Sequence, residues 1–198
     1  MPNPNVGMMY PVWAPLVSHT PGSMPSYGTG RVLQEARNCN ITKTYADNPL
    51  YGDDHIVDDD NGLLALAASF ESTGLTDEDR VALFGEKPMF VGGITCQAEG
   101  SNETPYGGFG YVRRMRDHGV KKFEAWIILC IKYQEENQTT TTKEGQIVWN
   151  TPTLNGRARD LEIDSSGETQ FRVHYTFETA AAAKAWLNTV LNVSAATT

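Results

Sequence analysis

Across residues 120–134 an apolar side chain falls on every second position: Phe123, Ala125, Ile127, Leu129, Ile131 and Tyr133. A two-residue period puts such a row on one face of an extended strand, and no helix can present it as one stripe. The same alternation returns with Phe171, Val173, Tyr175 and Phe177 against Gln170, Arg172, His174 and Thr176, the pattern of a half-buried antiparallel strand. Residues 31–45, 63–70, 89–96, 109–115, 146–150 and 154–161 also read as extended. In 63–70 both faces are apolar enough to be buried. Gly92-Gly93 marks a bulge or a close backbone approach within 89–96, and His118-Gly119 turns 109–115 back into 120–134.

Two short helices complete the reading. Thr76 is an N-cap with Asp79 at capping-box spacing, Asp77, Glu78 and Asp79 complement the positive helix start, and Gly85 ends the turn. In 179–192, Ala183, Trp186, Leu187, Val190 and Leu191 follow the spacing of one apolar helix face. The expected fold is mainly β: two packed antiparallel sheets, sandwich- or barrel-like, with a short helix and a C-terminal flanking helix. The 198 residues form a single domain, with its core over 31–193.

Residues 1–30 stand apart. They contain no Asp, Glu, Lys or Arg and six of the ten prolines. Such a segment cannot be helical and makes a poor central strand, yet Met8, Met9, Tyr10, Val12, Trp13, Leu16 and Val17 are too apolar for a solvated tail. It reads as an extended arm that lies either along its own domain or on a neighbouring subunit. Trp126, Trp149 and Trp186 sit in periodic apolar runs and read as core. Trp13 lies outside any such run, which makes it a candidate inter-subunit contact.

Charge is unevenly spread. The net charge is −8, yet between Lys43 and Arg80 there are ten acids and no base, and the remainder carries 16 bases against 14 acids. An overall acidic chain of this kind is not a basic nucleic-acid binder. The turn-rich stretch 48–62 holds Tyr51, Asp53, Asp54, Asp58, Asp59 and Asp60, while the turn at His118 is flanked by Arg113, Arg114, Arg116, Lys121 and Lys122. The two stretches are complementary, and contact between them on adjacent copies would set register and partner choice.

Motifs for chemistry are missing. The sequence has no GxSxG elbow, no phosphate loop and no HExxH. Cys39, Cys96 and Cys130 lack CxxC spacing and read as small buried residues. His19, His55, His118 and His174 stand singly, against a zinc site. No enzyme activity, cofactor or metal is expected. The oxygen-rich run from Asp53 to Asn61 departs from the EF-hand pattern. It leaves a calcium- or carbohydrate-binding β-sandwich of a virion or cell surface as the alternative. The longest apolar run, 125–131, is far short of a membrane span, so no membrane partner is expected. The first residues lack a basic signal-peptide start, so the sequons at Asn40, Asn102, Asn137 and Asn192 read as chance.

The order of features is itself informative. Tyr45-Ala46-Asp47 and Tyr51-Gly52-Asp53-Asp54 precede a strand and then LTDEDRVALFGE. After these come PYGGFGY, FEAWIILCIKY and TTKEGQIVWNTPTLNG, then a strand and an Ala-rich helix with Ala185-Trp186-Leu187. Over residues 40–190 this set resembles the major tail proteins of long-tailed bacteriophages, the phi13-type tail tube family. The arm at 1–30 is longer and richer in proline than that family's pattern, and the acidic loop is more acidic. The resemblance implies a two-sheet tail-tube fold without catalysis, located in the virion tail after assembly in the host cytoplasm. It implies hexameric rings stacked into a tube around a tape measure protein, ending on a tail terminator and on distal tail or baseplate proteins, with genomic DNA passing through the lumen unbound. It also implies that the loop at 48–62 stacks on the next ring.

Overall fold

The structure, a computed structural model, describes residues 5–52, 55–60, 62–100, 102–135 and 151–194. In chain order it contains β1 (Asn5–Ser18), β2 (Ser26–Tyr27), β3 (Arg31–Val32), β4 (Ala36–Tyr45), β5 (Asn48–Gly52), β6 (His55–Asp60) and β7 (Leu63–Ser72). Helix α1 (Asp77–Phe84), β8 (Lys87–Val91), β9 (Ile94–Ala98), β10 (Gly107–Asp117) and β11 (Val120–Glu135) follow. The chain closes with β12 (Thr153–Ala158), β13 (Leu161–Glu162), β14 (Thr169–Gln170), β15 (Arg172–Phe177) and helix α2 (Ala180–Val190). The expected strand at 146–150, with Trp149, lies outside the described residues.

The fold is mainly β and antiparallel. Its main sheet runs β2-β1-β10-β11-β12-β7-β4, with β3 on β1 and β15 on β11. The strands β1, β10 and β11 face β12, β7 and β4 across one core, built on Trp13, Leu66, Phe70, Phe109, Ile128, Ile131, Tyr133 and Leu154, with Leu83 of α1 packed into it. Their other face forms a second core against α2, through Val12, Ala14, Val112, Ala125, Ile127, Leu129, Leu187 and Leu191. The two expected layers are therefore present as halves of one hydrogen-bonded sheet. The strands in the middle are apolar on both faces because both are covered.

Strand β11 explains how one sheet makes two layers. Its residues 123–128 pair with β15, and residues 131–135 pair with β12. The partners change at Leu129 and Cys130, where the pairing with β10 also shifts register, from Phe109↔Ile128 to Gly107↔Ile131. The extra residue reverses the alternation: Ile127 and Leu129 face α2, whereas Ile131 and Tyr133 face the other core. The expected unbroken row on one face is corrected accordingly.

Of the two placements open to the N-terminal segment, the structure shows the one along its own domain, and the expectation that it makes a poor central strand is corrected. Its residues 5–18 form an internal strand on this chain's own β10, with Trp13↔Phe109 and Ala14↔Gly108 in register. The prolines are tolerated by position. Pro11 falls at a bulge where Tyr10 has φ +58°, and Pro15 falls at the last pairing with β10. Both still accept through their carbonyls, from Leu33 N–H and Gly28 N–H respectively.

Local signals hold at the helices. Thr76 Oγ1 accepts from Asp79 N–H, the Asp79 carboxylate accepts from Thr76 N–H, and Gly85 ends α1 in the left-handed region. Arg80 donates twice to Glu135, at 2.6 and 3.0 Å, which ties α1 to the end of β11. Burial departs from expectation in two strands. In β7 only Leu66, Ala68, Phe70 and Ser72 are buried, while Ala67 is exposed, because the second face has no covering layer among the described residues. In β15 Tyr175 is exposed, since α2 reaches Val173 and Phe177 on either side of it and no strand lies beyond among the described residues.

Candidate assembly interface

The basic hairpin is the best-defined candidate. Strands β10 and β11 pair tightly around His118-Gly119, with Arg116↔Lys121, Met115↔Lys122, Arg114↔Phe123 and Arg113↔Glu124 in register. Register sorts the five bases. Arg114, Arg116 and Lys121 share one side with Phe123. Arg113 turns to the opposite side, where it donates to the buried Glu124 carboxylate at 2.5 and 3.0 Å and lies over Trp126. Lys122 donates to Asp117 at 2.8 Å, and His118 sits 2.7 Å from the same carboxylate. Those two partners hold the Asp117 carboxyl below the usual carboxylate range. Arg114, Arg116 and Lys121 are exposed and form no ion pair among the described residues. Arg116 and Lys121 are directly opposed like charges, an arrangement that costs stability in the isolated chain.

Beside this hairpin lies a groove of about 520 Å³ with Met9, Met115, Phe123 and Ala180 as its apolar lining, edged by Arg114, Arg116, Lys121, Lys122 and Lys184. Four of the five bases singled out in the sequence are thus brought together, with Lys184 of α2 added. Arg113 is not among them.

Trp13 is not a surface residue. It has no solvent exposure, its indole N–H donates to the Ala82 carbonyl at 3.2 Å, and its ring meets Tyr133 edge-on at 5.7 Å. Its candidacy as an inter-subunit contact is therefore withdrawn. Because β1 is an internal strand, the ring points into the core.

The acidic stretch folds as the hairpin β5–β6, with Leu50↔Asp58, Pro49↔Asp59, Asn48↔Asp60 and Tyr51↔Ile56 opposed. Asp53 and Asp54 lie outside the described residues, as do the side chains of Tyr51, Asp58, Asp59 and Asp60. Among the described residues no three His, Cys, Asp or Glu side chains gather as a metal site.

Sequence reasoning missed a second projecting hairpin. The residues read as one strand are two, β8 and β9, reversing at Gly92 (φ +59°) and Gly93 (φ +85°). Two residues with positive φ make the tight turn that suits the twist of a hairpin, and Gly-Gly between apolar runs is its sequence signal. Met89, Phe90, Val91 and Ile94 are all exposed, Phe90 by 73% and Ile94 by 71%.

Cys96 is exposed on this hairpin, against the expectation that all three cysteines are buried. Burial pushes the Cys39 thiol up to about 12 and also raises Cys130. Only thiolates react readily. A disulfide reagent added to the folded protein is therefore expected to label Cys96 quickly and the other two only in denaturant; rapid labelling of Cys39 in the native state would contradict this. Burial likewise pushes Tyr111 up to about 12 and raises Tyr27 and Tyr133, all of them core residues.

The sheet leaves backbone edges open. Among the described residues β4 pairs only with β7, and β15 only with β11, so ten and six residues respectively lack a partner on one side. The hairpins β5–β6 and β8–β9 are separate two-stranded sheets. No protein-family model matches the chain, and a search of curated proteins finds no match either. No helix of the described residues is long and apolar enough to cross a membrane.

Proposed function

We propose that this chain is a structural virion protein that assembles into hexameric rings, stacked as the tube of a bacteriophage tail. The observation that carries the reading is the open edge of β4. β4 pairs with β7 along one edge and, among the described residues, with no strand along the other; such an open edge is an aggregation hazard in a monomer, and pairing with a neighbouring subunit would remove it. The likeness to tail tube proteins over residues 40–190 supplies the ring and the tube. A stacking contact between unlike surfaces does not close on itself and so propagates. In this reading the tape measure protein fills the lumen, the tail terminator and the distal tail or baseplate proteins close the ends, and DNA passes through. The net charge of −8 discourages phosphate from adhering.

Negative-stain electron microscopy of the purified chain over a concentration series tests this. Hollow rings or tubes are the expected result. A uniform monomer at every concentration and at low salt would count decisively against it. Complementary charge between acidic and basic hairpins makes a second prediction: Asp58, Asp59 and Asp60 changed together to Lys should weaken assembly in 50 mM salt, and the difference from wild type should shrink as salt screens the charges. Equal assembly of the two proteins at low salt would remove the acidic hairpin from the contact.

A further inference from the structure

We propose that the cleft between β4 and β15 binds a phosphate group, held by Arg172 and Lys43, either as the free anion or as part of a small molecule.

Strand parity turns several charged residues inward at this end of the fold. Arg172 and His174 stand opposite Ile128 and Trp126, Arg113 follows Phe109 and Tyr111 on one face of β10, and Lys43 follows Cys39 and Ile41 on one face of β4. Phe109, Tyr111, Trp126 and Ile128 belong to the main core, and Cys39 and Ile41 pack against it. Bases thus occupy positions that are apolar further along the same strand faces.

Two cavities share Lys43 and Arg172 in their walls. One, of about 470 Å³, also meets Arg37, Arg113, Cys39 and Tyr111; the other, of about 570 Å³, meets Trp126, His174 and Glu168. The smaller has four bases in its walls and no acid. Two of the four are neutralised: Arg37 by Glu71 at 2.9 Å, and Arg113 by Glu124 at 2.5 and 3.0 Å. His174 Nε2 lies 3.7 Å from the same Glu124 carboxylate. The side chains of Lys43 and Arg172 make no ion pair and no hydrogen bond among the described residues, and exposed Glu168 pairs with neither.

Arg172 is already set for an anion. Its guanidinium lies over the Trp126 ring, 4.0 Å from the centroid, and His174 stacks on that ring at 4.1 Å. Stacking fixes the plane of the fork while its N–H donors stay unbonded, and such a fork matches the paired oxygens of an oxyanion. Burial raises the Cys39 thiol and the Tyr111 hydroxyl, and the Arg172 charge pulls against both, so its field reaches the wall of the smaller cavity. A half-buried charge without a counter-charge costs stability, which a bound anion would relieve.

Two unmatched positive charges call for a dianion. Phosphate carries two charges and has oxygens on several sides, so it can meet both the Arg172 fork and the Lys43 ammonium. A carboxylate carries one charge and is used up by the fork. The net charge of −8 does not oppose this, because distant charges are screened beyond about 8 Å in physiological salt, whereas the two bases act at contact.

Calorimetric titration of the dilute full-length protein at pH 8 tests the site, with inorganic phosphate, AMP and acetate as probes at one ionic strength of about 100 mM. Phosphate or AMP should bind saturably at one site per chain. Lys43→Gln and Arg172→Gln should each weaken that binding about tenfold, the scale of one charge-assisted hydrogen bond. Arg157→Gln, at an exposed base on β12, should bind as wild type does. Melting curves check folding; Lys43 is exposed, so its variant keeps the test decisive if loss of Arg172 disturbs Trp126. Tighter binding of AMP than of phosphate would support a small-molecule phosphoester as the ligand, and the reverse would support the free anion. No saturable binding of either, equally tight binding of acetate, or wild-type affinity in both cleft variants would overturn the proposal. None of these outcomes depends on ring assembly.

Discussion

Trp13→Ala is expected to cost about 4 kcal/mol, the usual penalty for emptying an aromatic site in a core, and to lower the melting temperature by roughly 10 °C in a domain of this size. The residue is fully buried and joins three elements: its strand pairs with β10, its indole N–H reaches Ala82 of α1, and its ring packs on Tyr133 of β11. Urea unfolding of the dilute monomer measures the cost. A loss under 1 kcal/mol, or one that appears only at concentrations where the protein associates, would mean that β1 completes a neighbour's sheet instead of its own.

Gly108→Ala should destabilise by about 2–3 kcal/mol, at the upper end of overpacking penalties. A methyl there would come within 2.6 Å of both the Leu191 side chain and the Tyr27 ring. Tyr27 cannot easily retreat, because its buried hydroxyl donates to the Leu129 carbonyl at 2.7 Å. Leu191→Ala removes one of the two obstacles, so the double variant should lose less than the sum of the single losses. Strict additivity in chemical denaturation would show that α2 does not press on this strand. The glycines of PYGGFGY are thus explained by packing: at Gly107 a methyl would meet the Trp13 ring at 2.5 Å, and at Gly110 it would meet Leu191 at 2.7 Å.

What could be read in the sequence follows the range of the interactions involved. The helices were legible because their signals are local: Thr76, Asp79 and Gly85 act within three or four residues of one another, and Leu187 and Leu191 are one turn apart. The β class was legible from alternation. The phase change at Leu129 and Cys130 was not, because it arises where β11 exchanges β15 for β12, strands that lie 20 or more residues further along the chain. The role of residues 5–18 was hidden for a similar reason. Proline content weighs against an internal strand until the partner is known, and only the pairing with β10 shows that Pro11 meets a bulge and Pro15 the end of a ladder.

The candidate interface was legible in part. The clustering of bases around His118 was visible in one dimension, but the removal of Arg113 to the Glu124 side depends on strand parity across the hairpin. Trp13 was misassigned because its neighbours gave no periodic run. The β8–β9 hairpin had a local signal in Gly92-Gly93, and its exposure needed the fold, since a row such as Met-Phe-Val ordinarily belongs in a core.

The fork in β11 has a mechanical consequence. In most two-layer β-proteins the layers touch only through side chains, and shear between them meets the resistance of dispersion forces. Here a single covalent backbone passes from one layer to the other at Leu129 and Cys130, with Leu129 N–H bonded to the Phe171 carbonyl and the Cys130 carbonyl accepting from Arg159 N–H. Relative sliding would have to stretch that backbone or break those bonds. Within one subunit, a load that shears the two layers is therefore carried along the polypeptide itself as well as by the side-chain packing between them.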